Sequence, residues 1–228
     1  MSRGRRAIAR TLVAGLVLAS GAVALAGWEQ VTIRIPVEPK VRTAPDDRVL
    51  VTLFRAGDHP RFVPGLEISL WLRRTLERST PLRPLDVPPP PVPEQRPERL
   101  ATNDAFWKQL GEDFGADLII AGVGRYERED RSGFVTRDLV SPVTGQTVRR
   151  TVYEERYAYR LSLQVFFIKG DNGALLHEDT WTAEQVLRAE EPQEDLQMLH
   201  LLLESMRSEL LAVLIPTRRA EPRLIWTE

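Results

Sequence analysis

Between Tyr157 and Ile168 the chain alternates: Tyr157, Tyr159, Leu161, Leu163, Val165 and Phe167 fall on one side, and Arg160, Ser162 and Gln164 on the other. A period of two belongs to a strand with one face in a core. A strand this long needs partners, so the chain must build a sheet and cover it. Asp171-Asn172-Gly173 is a turn signal that folds the run back into Ala174 to Leu187, an antiparallel neighbour.

Two further strands follow from composition. Ala116 to Tyr126 carries Leu118, Ile119, Ile120 and Val123 on both faces, the pattern of a strand buried on both sides. Arg48 to Phe54 has Val49, Val51 and Leu53 at period two. The cover is helical. Ile68, Trp71, Leu72, Thr75 and Leu76 share one face of a helix beginning near Gly65 and stopped by Pro81. Thr102 or Asn103 can cap a second helix with Phe106, Trp107, Leu110 and Phe114 on its apolar stripe and Gly115 at its end. Leu196, Leu199, Leu203, Met206, Leu210 and Val213 form the seam of a last, long helix between Pro192 and Pro216. The order β-α-α-β-β-β-α predicts an α/β (α+β) fold, a mixed sheet of about four strands with helices packed against it.

Other segments resist regular structure. Pro81 to Pro97 holds eight of the 17 prolines, which forbids ladder and helix bonds and predicts an extended spacer over the surface. Glu127 to Glu155 is a charged excursion with a turn signal at Ser141-Pro142-Val143-Thr144-Gly145, a long hairpin arm. The expected organisation is residues 1–26 as signal peptide or membrane anchor and 27–46 as an extended lead-in. A single domain then covers 47–216, with the Pro-rich loop 81–97 and the arm 127–156, and 217–228 is a tail.

The N-terminal segment predicts export. Arg3, Arg5, Arg6 and Arg10 precede an uncharged run from Thr11, and Ala24-Leu25-Ala26 is a small-x-small pattern, with cleavage between Ala26 and Gly27. The uncharged run reaches only Trp28, marginal for a span, so a cleaved signal peptide is the first reading and an uncleaved inner-membrane anchor the second. Both place the remainder outside the cytoplasm, periplasmic in the first case. Leu25-Ala26-Gly27-Trp28 has the outline of a lipoprotein box, but Trp28 stands where the acylated Cys must be, so no lipidation is expected there.

Composition narrows the chemistry. With no cysteine the chain has no disulfide, no thiolate nucleophile and no Cys-bound metal. A net charge of -1 gives no reason to expect nucleic acid as a partner. Of the three histidines, His59 in a Gly-Asp-His-Pro turn reads as a solvated loop residue and His200 as a residue flanking the last helix's seam. His177 and Asp179 share a strand face, which makes a cross-strand polar pair or two ligands of a metal-dependent hydrolase lacking a visible third. Gly122-Val123-Gly124 continues as strand and reads as close packing under a helix rather than a phosphate loop. Trp107, Trp181 and Trp226 are candidate partner anchors, Trp107 more simply a core residue.

The pieces Val49 to Phe54, Leu66 to Leu76, Gly115 to Tyr126 and Leu161 to Leu176 together resemble the CsgG/TolB N-terminal-domain-like envelope family. The resemblance implies a non-enzymatic envelope module without a cofactor, which binds envelope proteins or copies of itself. The pore-forming members are lipoproteins that insert hairpins into a membrane. Here Glu127 to Arg131 are consecutive charges, which would place both faces of the arm in lipid at several kcal/mol. A partner-binding arm is the expectation instead, with Arg131, Phe134, Arg137, Arg149 and Arg150 as its candidate contacts. Contact with a membrane is then expected only through an uncleaved N-terminal helix or through a partner.

Overall fold

The computed structural model describes residues 27–140, 142, 145–189 and 194–227. The cleavage signal at Ala24 to Ala26, most of the turn signal at 141–145 and Pro192 lie outside these residues. Gly27 is described and opens the first strand.

The chain runs β1 (Gly27–Val37), β2 (Arg48–Val51), β3 (Arg55–Ala56), α1 (Pro64–Ser79), β4 (Arg83–Pro84), α2 (Pro97–Ala101) and α3 (Asp104–Phe114). It continues through β5 (Leu118–Asp130), β6 (Gly133–Val140), β7 (Thr147–Glu154), β8 (Arg156–Lys169), β9 (Leu175–Arg188), α4 (Asp195–Ala212) and β10 (Thr217–Thr227). The fold is mixed α+β, as the sequence predicts. The main sheet has the order β4-β2-β5-β8-β9, with β3 pairing β5 off that path. Its four long or buried strands are the expected ones; β3 and β4 add two residues each. The pairings β2 with β4, β2 with β5 and β3 with β5 are parallel, and those of β8 with β5 and β9 are antiparallel.

Strand alternation sorts the core into two layers. Val49, Val51, Leu118, Ile120, Leu161, Leu163, Val165 and Phe167 face α1 and α4, whose Ile68, Leu72, Leu199, Leu203, Met206 and Leu210 complete that cluster. On the other face Leu50, Ile119, Ala121, Phe166 and Ile168 pack against Leu100, Trp107 and Leu110. Trp107 is a core residue: it is fully buried and its Nε1 donates to the Leu100 carbonyl at 2.6 Å. Asn103 caps α3 by accepting from the Phe106 N–H, and Gly115 ends it in the left-handed region at φ 61°. A Cβ on Gly124 would approach Ile68 Cδ1 of α1 to 2.7 Å, so this glycine is close packing under a helix.

Three expectations change. The Pro-rich segment is no free spacer: Leu85 N–H donates to the Val49 carbonyl at 2.8 Å and Leu53 N–H to the Pro90 carbonyl at 2.8 Å. The segment is strapped along β2, with Leu85, Val87 and Val92 against the second core layer. Prolines supply carbonyls and side chains while offering no outward N–H, which suits a strap on a sheet edge. The arm is also shorter than 127–156, because β5 pairs with β8 as far as Asp130 opposite Tyr157. Of the described residues in 127–156, only β6 and β7 lie outside the main sheet. Finally, the lead-in and the tail are strands. β1 and β10 form a two-stranded sheet, and the chain divides after Ile35 and before Arg219 into this unit and the compact unit Pro36–Arg218. Pro36 and Pro222 are tolerated because every strand of a two-stranded sheet is an edge.

Candidate functional site

The β6–β7 hairpin is built from opposed pairs running from Gly133 and Glu154 at its base to Val140 and Thr147. Opposed residues share a face. One face carries Phe134 with Tyr153, Thr136 with Thr151, and Asp138 with Arg149. The rings of Phe134 and Tyr153 meet edge to face at 5.4 Å, the two threonine hydroxyls lie 3.3 Å apart, and Arg149 Nε reaches Asp138 Oδ1 at 3.3 Å. The other face carries Val135 with Val152 and Arg137 with Arg150. Phe134 is 79% exposed and Tyr153 57% exposed, so the aromatic pair faces water.

The base is fixed to the main sheet. Arg131 N–H donates to the Arg156 carbonyl at 2.8 Å, Arg156 N–H to Ser132 Oγ at 3.0 Å and Ala189 N–H to the Glu155 carbonyl at 2.9 Å. Arg131 Nη1 and Arg160 Nη2 converge on Glu184 at 2.6 and 2.5 Å, and these hydrogen bonds hold the Glu184 carboxyl below the usual carboxylate range. Arg137 and Arg156 both pair with Glu154, whose carboxyl is held low chiefly by the Arg156 hydrogen bond. A cavity of about 310 Å³ opens there, between Arg137, Tyr153, Glu154, Glu155, Arg188 and Ala189.

The five candidate arm residues therefore divide. Arg131 is committed to the base, Arg137 to Glu154 and Arg149 to Asp138. Phe134 and Arg150 are exposed on opposite faces of the ribbon, and Tyr153, which was not among the candidates, stands beside Phe134. The signal that could have found it is register: a turn centred near Ser141 to Gly145 sets Tyr153 opposite Phe134.

His59 is not solvated; its side chain is 17% exposed. Its ring packs against Phe62 with centroids 4.1 Å apart and planes tilted by 35°, and its Nε2 lies 3.4 Å from Asp195 Oδ2 at the start of α4. Arg128 approaches Asp195 Oδ1 at 3.7 Å and lies over the Tyr157 ring at 4.1 Å, while the Tyr126 hydroxyl donates to the Asp195 carbonyl at 2.9 Å. Burial, and then the Asp195 charge, push the Tyr126 phenol above its ordinary range. This cluster ties the loop before α1 to β5, β8 and α4.

His177 and Asp179 do come together, Nε2 to Oδ2 at 3.5 Å, but Lys40 Nζ occupies the same carboxylate oxygen at 2.6 Å. Burial is the largest single influence and raises the Asp179 carboxyl, but the hydrogen bonds from Lys40, the Thr180 N–H and His177, with the Lys40 charge, together outweigh it and leave a net lowering. Among the described residues no group of three His, Asp or Glu side chains is placed to hold a metal. His200 lies on α4 beside its buried seam and pairs with Glu67 at 3.5 Å. Trp181 is buried against α4, and Trp226 is 54% exposed on β10. Among the described residues no helix is long and apolar enough to cross a membrane.

No protein-family model and no curated protein sequence matches the chain. Among solved structures it is similar to a PelC dodecamer from Paraburkholderia phytofirmans, at 14% identity and a TM-score of 0.40 over 83% of this chain and 97% of that one. It is also similar to a putative neuraminyllactose-binding hemagglutinin homolog from Helicobacter pylori, at 12% identity and a TM-score of 0.39 over 75% and 87% of the two chains. A third is the lipoprotein GNA1162 from Neisseria meningitidis, at 12% identity and 0.35 over 72% and 98%.

Proposed function

We infer that this chain is a non-enzymatic module of the cell envelope that binds a protein partner through the outer face of the β6–β7 hairpin. The observation that carries this reading is the solvent-facing Phe134–Tyr153 pair, set on a ribbon whose base is pinned by backbone bonds and charged pairs. Aromatic side chains are among the residue types that dominate binding energy in protein interfaces. A fixed base lets the ribbon present them with little ordering cost. Location outside the cytoplasm rests on the basic segment and uncharged run before Gly27. The CsgG/TolB-like reading supplies the same class of role.

The test replaces residues 134–153 by Asn-Gly, a two-residue turn that joins Gly133 to its partner Glu154 and leaves the hairpin's base in place. Envelope proteins captured by the intact chain should be lost by this variant and by Phe134→Ala/Tyr153→Ala, while cooperative unfolding is kept. Capture that survives both variants sinks the hairpin reading. N-terminal sequencing of the exported protein separates a cleaved module starting at Gly27 from one tethered by an uncleaved anchor.

A further inference from the structure

The main sheet ends differently on its two sides. Beyond β2 lie the two-residue β4, with Pro84 in it, and the proline strap bonded to Leu53. On the other side β9 closes the order after pairing with β8 along Leu175–Arg188, and among the described residues the sheet gives it no second neighbour. A long strand with one unpaired edge is a template for another strand.

The register fixes which groups that edge offers. Ala189 N–H donates to the Glu155 carbonyl, so 189 and 155 are a hydrogen-bonded pair. Such pairs alternate along an antiparallel ladder. With Arg188 opposite Arg156 and Trp181 opposite Leu163, odd-numbered β9 residues bond to β8, and even-numbered ones turn their N–H and C=O outward. Those even positions are Glu178, Thr180, Thr182, Glu184, Val186 and Arg188, all exposed residues, with the Glu184 side chain partly covered by Arg131 and Arg160.

We propose that β9 pairs antiparallel with β9 of a second copy of this chain, about a two-fold axis at Ala183. The occupant is selected by charge. In that register Glu178 of each copy lies opposite Arg188 of the other, Thr180 opposite Val186 and Thr182 opposite Glu184. All are even-to-even pairs that join outward backbone groups, and no like charges are directly opposed. Centring the pair on Trp181 would oppose Glu178 to Glu184, and centring it on Glu184 would oppose that residue to itself. Directly opposed like charges disfavour both. Arg188 makes no close ion pair within its own copy among the described residues, and Glu178 accepts only from neutral Gln164, at 2.6 Å. This surface is distinct from the Phe134–Tyr153 face.

Because the chain lacks cysteine, single substitutions report the register without interference. Under mild oxidation Ala183→Cys should give a disulfide-linked dimer. Gln185→Cys should not, because its own copy lies roughly 13 Å away, four residues along the partner strand at about 3.3 Å each. In sedimentation of the purified chain, Arg188→Glu should weaken the dimer at least about tenfold, and Glu178→Arg/Arg188→Glu should restore it. Thr182→Pro removes an outward N–H but no bond to β8, so it should yield a folded monomer. The hairpin-shortened chain should still dimerise, which separates this test from that of partner capture. A chain monomeric at all concentrations overturns the proposal, and so does a dimer indifferent to Thr182→Pro or equal crosslinking at 183 and 185.

Discussion

Gly111 lies where α3 crosses the end of β8. A Cβ there would come within 2.1 Å of the Gly170 carbonyl oxygen, a backbone atom that cannot swing aside. Gly111→Ala should therefore cost about 1–3 kcal/mol, an overpacking penalty readable by urea denaturation. A loss below about 0.5 kcal/mol would show that the crossing is loose. Tyr126 makes a prediction in pH. Its folded pKa lies above its unfolded value, so the neutral phenol's contribution is complete below roughly pH 10 and is lost as pH rises past it. Tyr126→Phe should cost about 0.5–1.5 kcal/mol at neutral pH through its lost bond to Asp195. It should also flatten the alkaline decline in stability; a decline of unchanged slope would assign that titration to another group. The partnership of His59 with Asp195 was not legible in the sequence. A Gly-Asp-His-Pro turn specifies a local bend, and nothing local says that the start of α4 will arrive beside it.

At the scale of elements, legibility followed periodicity. The alternation in Tyr157–Ile168 and the apolar run Leu118–Val123 named β8 and β5 with their buried faces, and the stripe around Trp107 named α3. The proline segment was misread because prolines specify extended backbone without specifying a neighbour. Leu85 and Val87, two apart and both turned into the second core layer, were the available sign of a strap. Replacing Pro88 to Pro91 by Gly-Ser-Gly-Ser should destabilise the chain by about 1–3 kcal/mol, mainly by enlarging the unfolded ensemble. It should also uncover the β2 edge, so light scattering during a thermal ramp should rise at a lower temperature. Unchanged stability and scattering would mean that the strap is ornamental. The hairpin's charges were legible, but its length was not, because Glu127 to Asp130 are polar enough to read as arm while their backbone stays in ladder with β8.

For the whole molecule, stability should be unevenly distributed. β5 and β8 lie between two helical layers and β9 packs one face against α4, whereas among the described residues β6 and β7 pair only with each other. An isolated two-stranded ribbon is marginal in water. Hydrogen exchange should find β6–β7 amides opening at least about a hundredfold faster than those of Ile119, Ile120 and Val165. Equal protection would mean that the hairpin is covered by a surface of this chain or of another copy. The pairing of β1 with β10 was the least legible feature, since it joins the two ends of the described chain and both strands contain a proline.

The strap has a consequence for assembly. A sheet with two receptive sides can lengthen without limit, each newcomer exposing the template for the next. Here the side beyond β2 offers proline to an incoming strand, so anything that joins at β9 meets no second site. Growth by this route terminates after a single event, and the fold carries its own safeguard against becoming the monomer of a fibre.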